Sequence, residues 1–220
     1  MPRIRGASIE EHHEMVWAGL AEALRRLLLE RDYDSITLGH IATRAGLARN
    51  TLYNYARDKG ALVLALTQRA GRPGIDRVAA IAARTSDPAA PRLREIIEAV
   101  LEAFTDPVLQ MMFLPGSGRP ADDVPREPDS PFHAIVVEVE NVIRDGIARG
   151  EFRDIDEVRL TVELLSGAMR AGAERVSRDP AALAATVGAA QEIILSSLRP
   201  ANAGDMSPGQ GPSGGWITGP

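Results

Sequence analysis

Apolar residues recur along almost the whole chain at helical spacing, and no run shows the alternation a half-buried strand requires. The clearest stretch holds Leu93, Ile96, Ile97, Val100, Leu101 and Phe104 at i, i+3, i+4, i+7, i+8 and i+11, one face of a helix. Leu20, Ala23, Leu24, Leu27 and Leu28 form another such stripe, which ends near Arg31 to Tyr33. Three more follow toward the C-terminus. Val136, Val139, Ile143 and Ile147 are expected to be buried by a helix over 132–149, and Leu160, Leu164, Ala168 and Gly172 by one over 154–178. Leu183, Val187, Ala190, Ile194 and Leu198 are expected to be buried by one over 180–198. The fold class this dictates is all-α, with about nine helices.

Caps and breakers divide the pattern. Ser8 with Glu11 fits a capping box at the start of the first helix. Thr37 is a good N-cap for a short second helix that runs to about Ala45 and is broken by Gly46. A third helix is expected over Arg49 to Ala56, and Asp58 can cap a fourth that turns Leu62, Ala65 and Leu66 inward. Gly71-Arg72-Pro73-Gly74 predicts a break or kink in that fourth helix. Thr105-Asp106-Pro107 ends the 93–104 helix and starts a short apolar one through Leu114. Five prolines within 115–131 read as a loop. Ten of the 21 residues from 200 to 220 are Gly or Pro, which predicts a disordered tail.

Composition narrows the function. With no cysteine among 220 residues, disulfides, thiolate metal sites and cysteine nucleophiles are excluded. No apolar h-region follows the N-terminal basic residues and no uninterrupted apolar run of about 18 residues is seen, so a cytoplasmic protein without a membrane partner is expected. His12 and His13 are adjacent and point about 100° apart on a helix, with no i, i+4 partner, so no metal site is expected. No Gly-rich phosphate loop, Ser-His-Asp ordering or paired carboxylates emerge; Glu138 and Glu140 sit two apart and face different ways. No catalytic residue and no cofactor are assigned, and an enzyme is not expected. Net charge is −5, yet it is uneven: residues 1–71 hold ten basic and eight acidic groups, and 72–199 hold 15 basic and 21 acidic. Of 25 basic residues, Lys59 is the sole lysine.

Segment 36–62 places two short helices around Gly46, with small Ala42 for close approach and Ile41, Leu47 and Leu52 as a local core. This is a helix-turn-helix arrangement. Ile41-Ala42, Ala45-Gly46-Leu47, Thr51-Leu52-Tyr53 and Lys59 followed by Leu62 resemble the N-terminal domain of the TetR-type transcriptional repressors. Thr105-Asp106-Pro107 through Phe113 is similar to that family's short sixth helix, and Gly150-Glu151-Phe152 to its turn before the eighth. Aspartate stands at Asp32, where the family often has glycine, and alanine at Ala48, where it usually has serine, so the third helix lacks a side-chain cap.

The third helix presents residues suited to a major groove. Arg49 can pair bidentately with guanine, Asn50 or Asn54 with adenine, each worth roughly 1–3 kcal/mol of discrimination. Thr51, Tyr53 and Tyr55 carry hydroxyls, while Thr37 and Lys59 stand at helix starts that favour phosphate. The resemblance makes Tyr53 and Lys59 phosphate anchors and puts Arg49, Asn50 and Tyr55 in base-facing positions. It also implies a C-terminal ligand-binding and dimerisation domain. Candidate ligand contacts are Phe104, Gln110, Met111, Met112, Phe113, His133, Val136, Met169 and Arg170; each could equally be plain core. Candidate dimer contacts are Leu164, Ala168, Ala171, Gly172, Leu183, Val187, Ile194 and Leu198. The expected domains are 1–66 (arm and DNA-binding head), 67–199 (regulatory and dimerisation body) and the 200–220 tail. The expected function is a homodimeric repressor released from a near-palindromic double-stranded DNA operator by a small-molecule effector. An activator of the same fold and a protein-binding helical module with a weak DNA head are the alternatives.

Overall fold

A computed structural model describes residues 9–113 and 133–200 of the chain. Within them the chain is helical, with no strand: α1 (Ile9–Glu30), α2 (Leu38–Arg44), α3 (Arg49–Leu52), α4 (Lys59–Ala82), α5 (Ala89–Ala103), α6 (Pro107–Gln110), α7 (His133–Ala148), α8 (Val158–Arg178) and α9 (Leu183–Leu198). Short 3-10 turns follow α1 and α6 and precede α9. The capping box at Ser8, the helix end at Leu114, the proline-rich loop and the tail from 201 lie outside the described residues.

Two apolar cores form. The head core gathers Trp17, Leu20, Leu24, Ile41, Leu52 and Leu62 from α1 to α4. The body core gathers Val78, Leu93, Ile97, Ile143, Val162 and Ile194, from the far half of α4 and from α5, α7, α8 and α9. The stripe at 93–104 behaves as its period requires: Leu93, Ile96, Ile97, Leu101 and Phe104 are all buried.

Three expectations need correction. First, Gly71 to Gly74 does not break α4, which runs through Pro73 from Lys59 to Ala82. Proline there removes one N–H bond and costs about 3 kcal/mol or more. Packing keeps the helix whole, because α4 lies against α1, α5, α6 and α7 at once. Second, α3 ends at Leu52; the chain continues as turns in which Tyr55 N and Ala56 N both donate to the Leu52 carbonyl, at 2.9 and 3.1 Å. Third, Leu160 and Leu164 are 50% and 70% exposed, and α8 buries Val158, Val162, Ala173 and Val176 instead. At Leu160 and Leu164 the expected stripe was two residues out of phase, about 200° around the helix, while Ala168 and Gly172 are half-buried. Pro180–Leu198 is long and apolar enough to cross a membrane by length and composition, although Gln191, Glu192, Ser196 and Ser197 interrupt its apolar run. Its Ala190, Ile194, Leu195 and Leu198 bury against the chain's own core. Asp32, moreover, is extended (φ −63°, ψ 144°), so nothing at that site calls for glycine.

The start of α5 has no side-chain cap of its own. Glu151, more than 60 residues later, accepts from Ala89 N at 2.7 Å and Ala90 N at 3.3 Å. Gly150, at φ +70°, turns the chain after α7 so that this carboxylate arrives. Beside it, buried Arg92 donates to the Ala82 carbonyl at 2.9 Å and pairs with Asp145. A Cβ at Gly146 would lie 2.3 Å from Phe152 Cδ2 and 2.9 Å from Ala89 Cβ. Gly146→Ala should therefore lower the unfolding free energy by about 1–3 kcal/mol, read as a drop in the urea midpoint at constant slope.

Candidate nucleic-acid interface and body cavity

The helix-turn-helix is built by local chemistry. Thr37 Oγ1 accepts from His40 N at 3.2 Å while His40 Nδ1 accepts from Thr37 N at 3.3 Å, a capping box with histidine as the reciprocal acceptor. Gly46 takes φ +69°, the left-handed conformation the turn requires, and Leu47 N returns to the Ala42 carbonyl at 2.9 Å. Ala48 starts α3 without a side-chain hydrogen bond, as its residue type predicts. Asp58 caps α4 by accepting from Ala61 N at 2.7 Å.

These constraints leave Arg49, Asn50, Tyr53 and Asn54 exposed, with Thr51 half-buried. Tyr53 is 46% exposed, and its hydroxyl accepts from Arg49 Nη2 at 3.3 Å. Lys59 is held: its Nζ donates to the Tyr33 carbonyl at 3.0 Å and lies 4.0 Å from the Tyr33 ring centre. Burial pushes the Tyr33 phenol up from its ordinary value, with Asp34 adding to the effect. Thr37 is exposed beside the same edge. Tyr55 differs from its neighbours. Its ring is half-buried, stacked on His13 with centres 5.0 Å apart and edge-on to Trp17 at 5.4 Å. That α1 contact was not foreseen from the sequence, because nothing local marks a residue 42 positions earlier.

Charge on this surface is not evenly available. Arg44 is bound to Glu30 at 2.5 Å, and that hydrogen-bonded pairing holds the Glu30 carboxyl below its ordinary value. Arg57 pairs with Asp58 at 3.2 Å. Arg49 and Lys59 have no carboxylate partner among the described residues.

The joint between the halves is the segment from Phe104 to Phe113. Asp106 accepts from Arg25 Nη2 at 2.7 Å and Nε at 3.0 Å, and also caps α6 by accepting from Val108 N at 2.8 Å. The hydrogen bonds from Asp106 raise the Arg25 guanidinium above its ordinary value. Val108 and Met111 are buried in the head core, and Leu109 in the body core.

In the body, a cavity of about 560 Å³ opens between α5, α7 and α8. Phe104, Met112, Phe113, Val136, Met169 and Arg170 line it. Three other candidates lie elsewhere: Gln110 donates to the carbonyls of Phe104 and Thr105 at 3.2 Å, Met111 is in the head core, and His133 is outside the lining. Arg159, Glu163 and Ser166 also line the cavity, and sequence reading missed them. The available signal was their spacing of four and three residues along one face of α8, shared with Val162, Met169, Arg170 and Ala173.

The candidate dimer residues divide. Leu164 and Ala171 are exposed, and Ala168 is half-buried. Ile194 and Leu198 are buried in the chain's own core, with Leu183 and Val187 packed partly against it. A Cβ at Gly172 would stand 3.0 Å from Leu101 and 3.3 Å from Thr186, so that glycine serves an approach inside the subunit.

Residues 20–66 match the family of bacterial regulatory proteins called tetR. Solved structures of the same fold include SmeT, repressor of the Stenotrophomonas maltophilia multidrug efflux pump SmeDEF, at 16% identity, covering 84% of this chain and 91% of that one, TM-score 0.66. The MbdR regulator of Azoarcus sp. CIB aligns at 21% identity over 83% and 98%, TM-score 0.63. The regulator FadR of Bacillus subtilis, solved with stearoyl-CoA, aligns at 17% identity over 85% and 100%, TM-score 0.61. No curated protein matches the chain in sequence.

Asp106→Ala should reduce stability by about 1–3 kcal/mol, since it removes a charge-assisted pair and a helix cap together. Arg25→Ala should cost less, as the cap survives. Equal losses in urea unfolding would mean that the cap contributes nothing.

Proposed function

We propose that this chain, which belongs to the tetR family of bacterial regulatory proteins through its residues 20–66, is a homodimeric transcriptional repressor released from DNA by a small molecule. The observation that carries the DNA reading is a pair of cations without a carboxylate partner among the described residues, Arg49 and Lys59, flanked by exposed Asn50, Tyr53, Asn54 and Thr37. Tyr53 and Lys59 anchor phosphates. Arg49 and Asn50 face base edges, with Thr51 and Tyr55 bracing the recognition turn. Two heads related by a two-fold axis read half-sites about 34–36 Å apart, which makes the operator near-palindromic. No catalytic role is assigned, and the protein works where its operator is, in the cytoplasm.

The functional division falls near residue 66, inside α4, so one helix belongs to both the DNA-binding head and the regulatory body, which ends near 199. The exposed Leu160, Leu164 and Ile193 on α8 and α9 support dimerisation through those helices. An effector enters the body cavity. Its effect reaches the head because one short segment serves both places: Phe104, Met112 and Phe113 line the cavity, while Val108 and Met111 complete the head core. A ligand biases the dimer only through its differential affinity for the two shapes, typically about 1–3 kcal/mol. The uninterrupted α4 transmits the change as a rod and needs no hinge at Gly71 to Gly74.

Gel shifts against the DNA upstream of the protein's own gene test the proposal. With two available cations per subunit, affinity should fall roughly 10²-fold between 50 and 200 mM salt. Arg49→Ala should relax base preference. Lys59→Ala and Tyr53→Phe should weaken binding to all sequences, with Lys59→Ala lowering the salt slope by about 1 per subunit. Arg44→Ala and Arg57→Ala should change the slope far less, as carboxylates already hold those cations. A flat salt response would point to a partner other than nucleic acid.

A further inference from the structure

The body cavity carries information about its ligand beyond size. Its α8 wall is a single stripe. Arg159 and Arg170 both line the cavity and stand eleven residues apart, nearly the same angular position and about 16 Å along the axis. Between them Val162, Leu165 and Met169 line the cavity together with Ile96 of α5 and Val136 of α7, and Glu163 and Ser166 are the polar residues of that stretch.

The two arginines differ in how they are satisfied. Arg159 lies 3.3 Å from Glu163 and 3.6 Å from Glu140, and Glu140 also holds Arg144 at 2.7 Å. Two cations thus meet two carboxylates, and that end is neutral and self-satisfied. Arg170 has no hydrogen bond or ion pair to any described residue, although it is half-buried. The other three arginines of α8 are all paired: Arg159 as above, Arg175 with Asp179 and Arg178 with Glu174. A guanidinium withdrawn partly from water without an anion is costly, and its planar fork of donors matches a carboxylate in two parallel bonds.

We infer that the cavity takes an elongated apolar monocarboxylate, its anionic end on Arg170 and its apolar body running along α8 toward Arg159. The inference rests on the reading of this cavity as the effector site. A second carboxylate at the far end would meet exposed Arg159, whose charge Glu163 and Glu140 already balance, so it would gain little there and would face those two carboxylates as well. Charge on Arg170 selects an acid over a neutral isostere, and the satisfied cluster at Arg159 selects a monoacid over a diacid.

The test uses the full chain and the neutral fluorescent probe N-phenyl-1-naphthylamine, displaced by decanoate, decanamide or decanedioate. Decanoate should displace the probe at roughly tenfold lower concentration than decanamide, the scale of one charge-assisted bond. Decanedioate should do no better than decanamide. In Arg170→Met the probe should still bind and the decanoate advantage should vanish; Arg170→Lys should restore part of it. Equal displacement by decanoate and decanamide, or an advantage that survives Arg170→Met, would overturn the monocarboxylate assignment while leaving the cavity reading intact. Failure of the neutral probe to bind the wild-type chain would overturn both.

Discussion

The ten residues from Phe104 to Phe113 hold the two halves of this molecule in one arrangement. Without them there are two nearly separate cores joined by one helix. Val108 and Met111 complete the head core, Leu109 completes the body core, and Asp106 ties Arg25 of α1 to the start of α6. A short helix can do this because successive residues point about 100° apart, so adjacent side chains reach different cores. The ion pair fixes the direction of the segment more than it stabilises it, since both partners keep part of their hydration.

What the sequence made legible follows from how local each determinant is. The helix-turn-helix was readable because its causes lie within a few residues: Thr37 as cap, Ala42 and Gly46 at the turn, Asp58 as the next cap. The 93–104 stripe was readable because its period repeats three times. The face of α8 was misread because leucines and small residues recur on both sides of that helix. Only the packing of α5, α7 and α9 selects Val158, Val162, Ala173 and Val176 as the inner face. Pro73 was misread for the same reason, as contacts from four other helices hold α4 together across it. Glu151 capping α5, Tyr55 stacking on His13 and Arg25 pairing with Asp106 join residues 42 to 81 positions apart, and no local pattern announces them.

Electrostatics sharpen the division of labour. The acidic average belongs to the body, where 21 acidic groups outnumber 15 basic ones over residues 72–199. The head is mildly basic by count, and pairing concentrates that excess further. Glu30 and Asp58 pair with Arg44 and Arg57, while Arg31, Arg49 and Lys59 have no carboxylate partner among the described residues. An acidic body repels DNA and leaves the reading surface as the favourable approach. Pairing therefore acts on specificity as well as stability, since it limits which cations can neutralise phosphates.

The continuity of α4 decides what kind of motion can link cavity and head. A hinge at Gly71 to Gly74 would absorb displacement, because a flexible joint lets each half move alone. A whole helix of 24 residues is about 36 Å long, and a tilt of about 5° at its body end displaces its head end by about 3 Å. In the proposed two-fold dimer, a displacement of that size would separate a fitting pair of recognition helices from a misfitting one. In that proposal the coupling is reciprocal: DNA that fixes the heads would also fix the tilt of α4, and with it the shape of the cavity wall that α4 supports through α5 and α7.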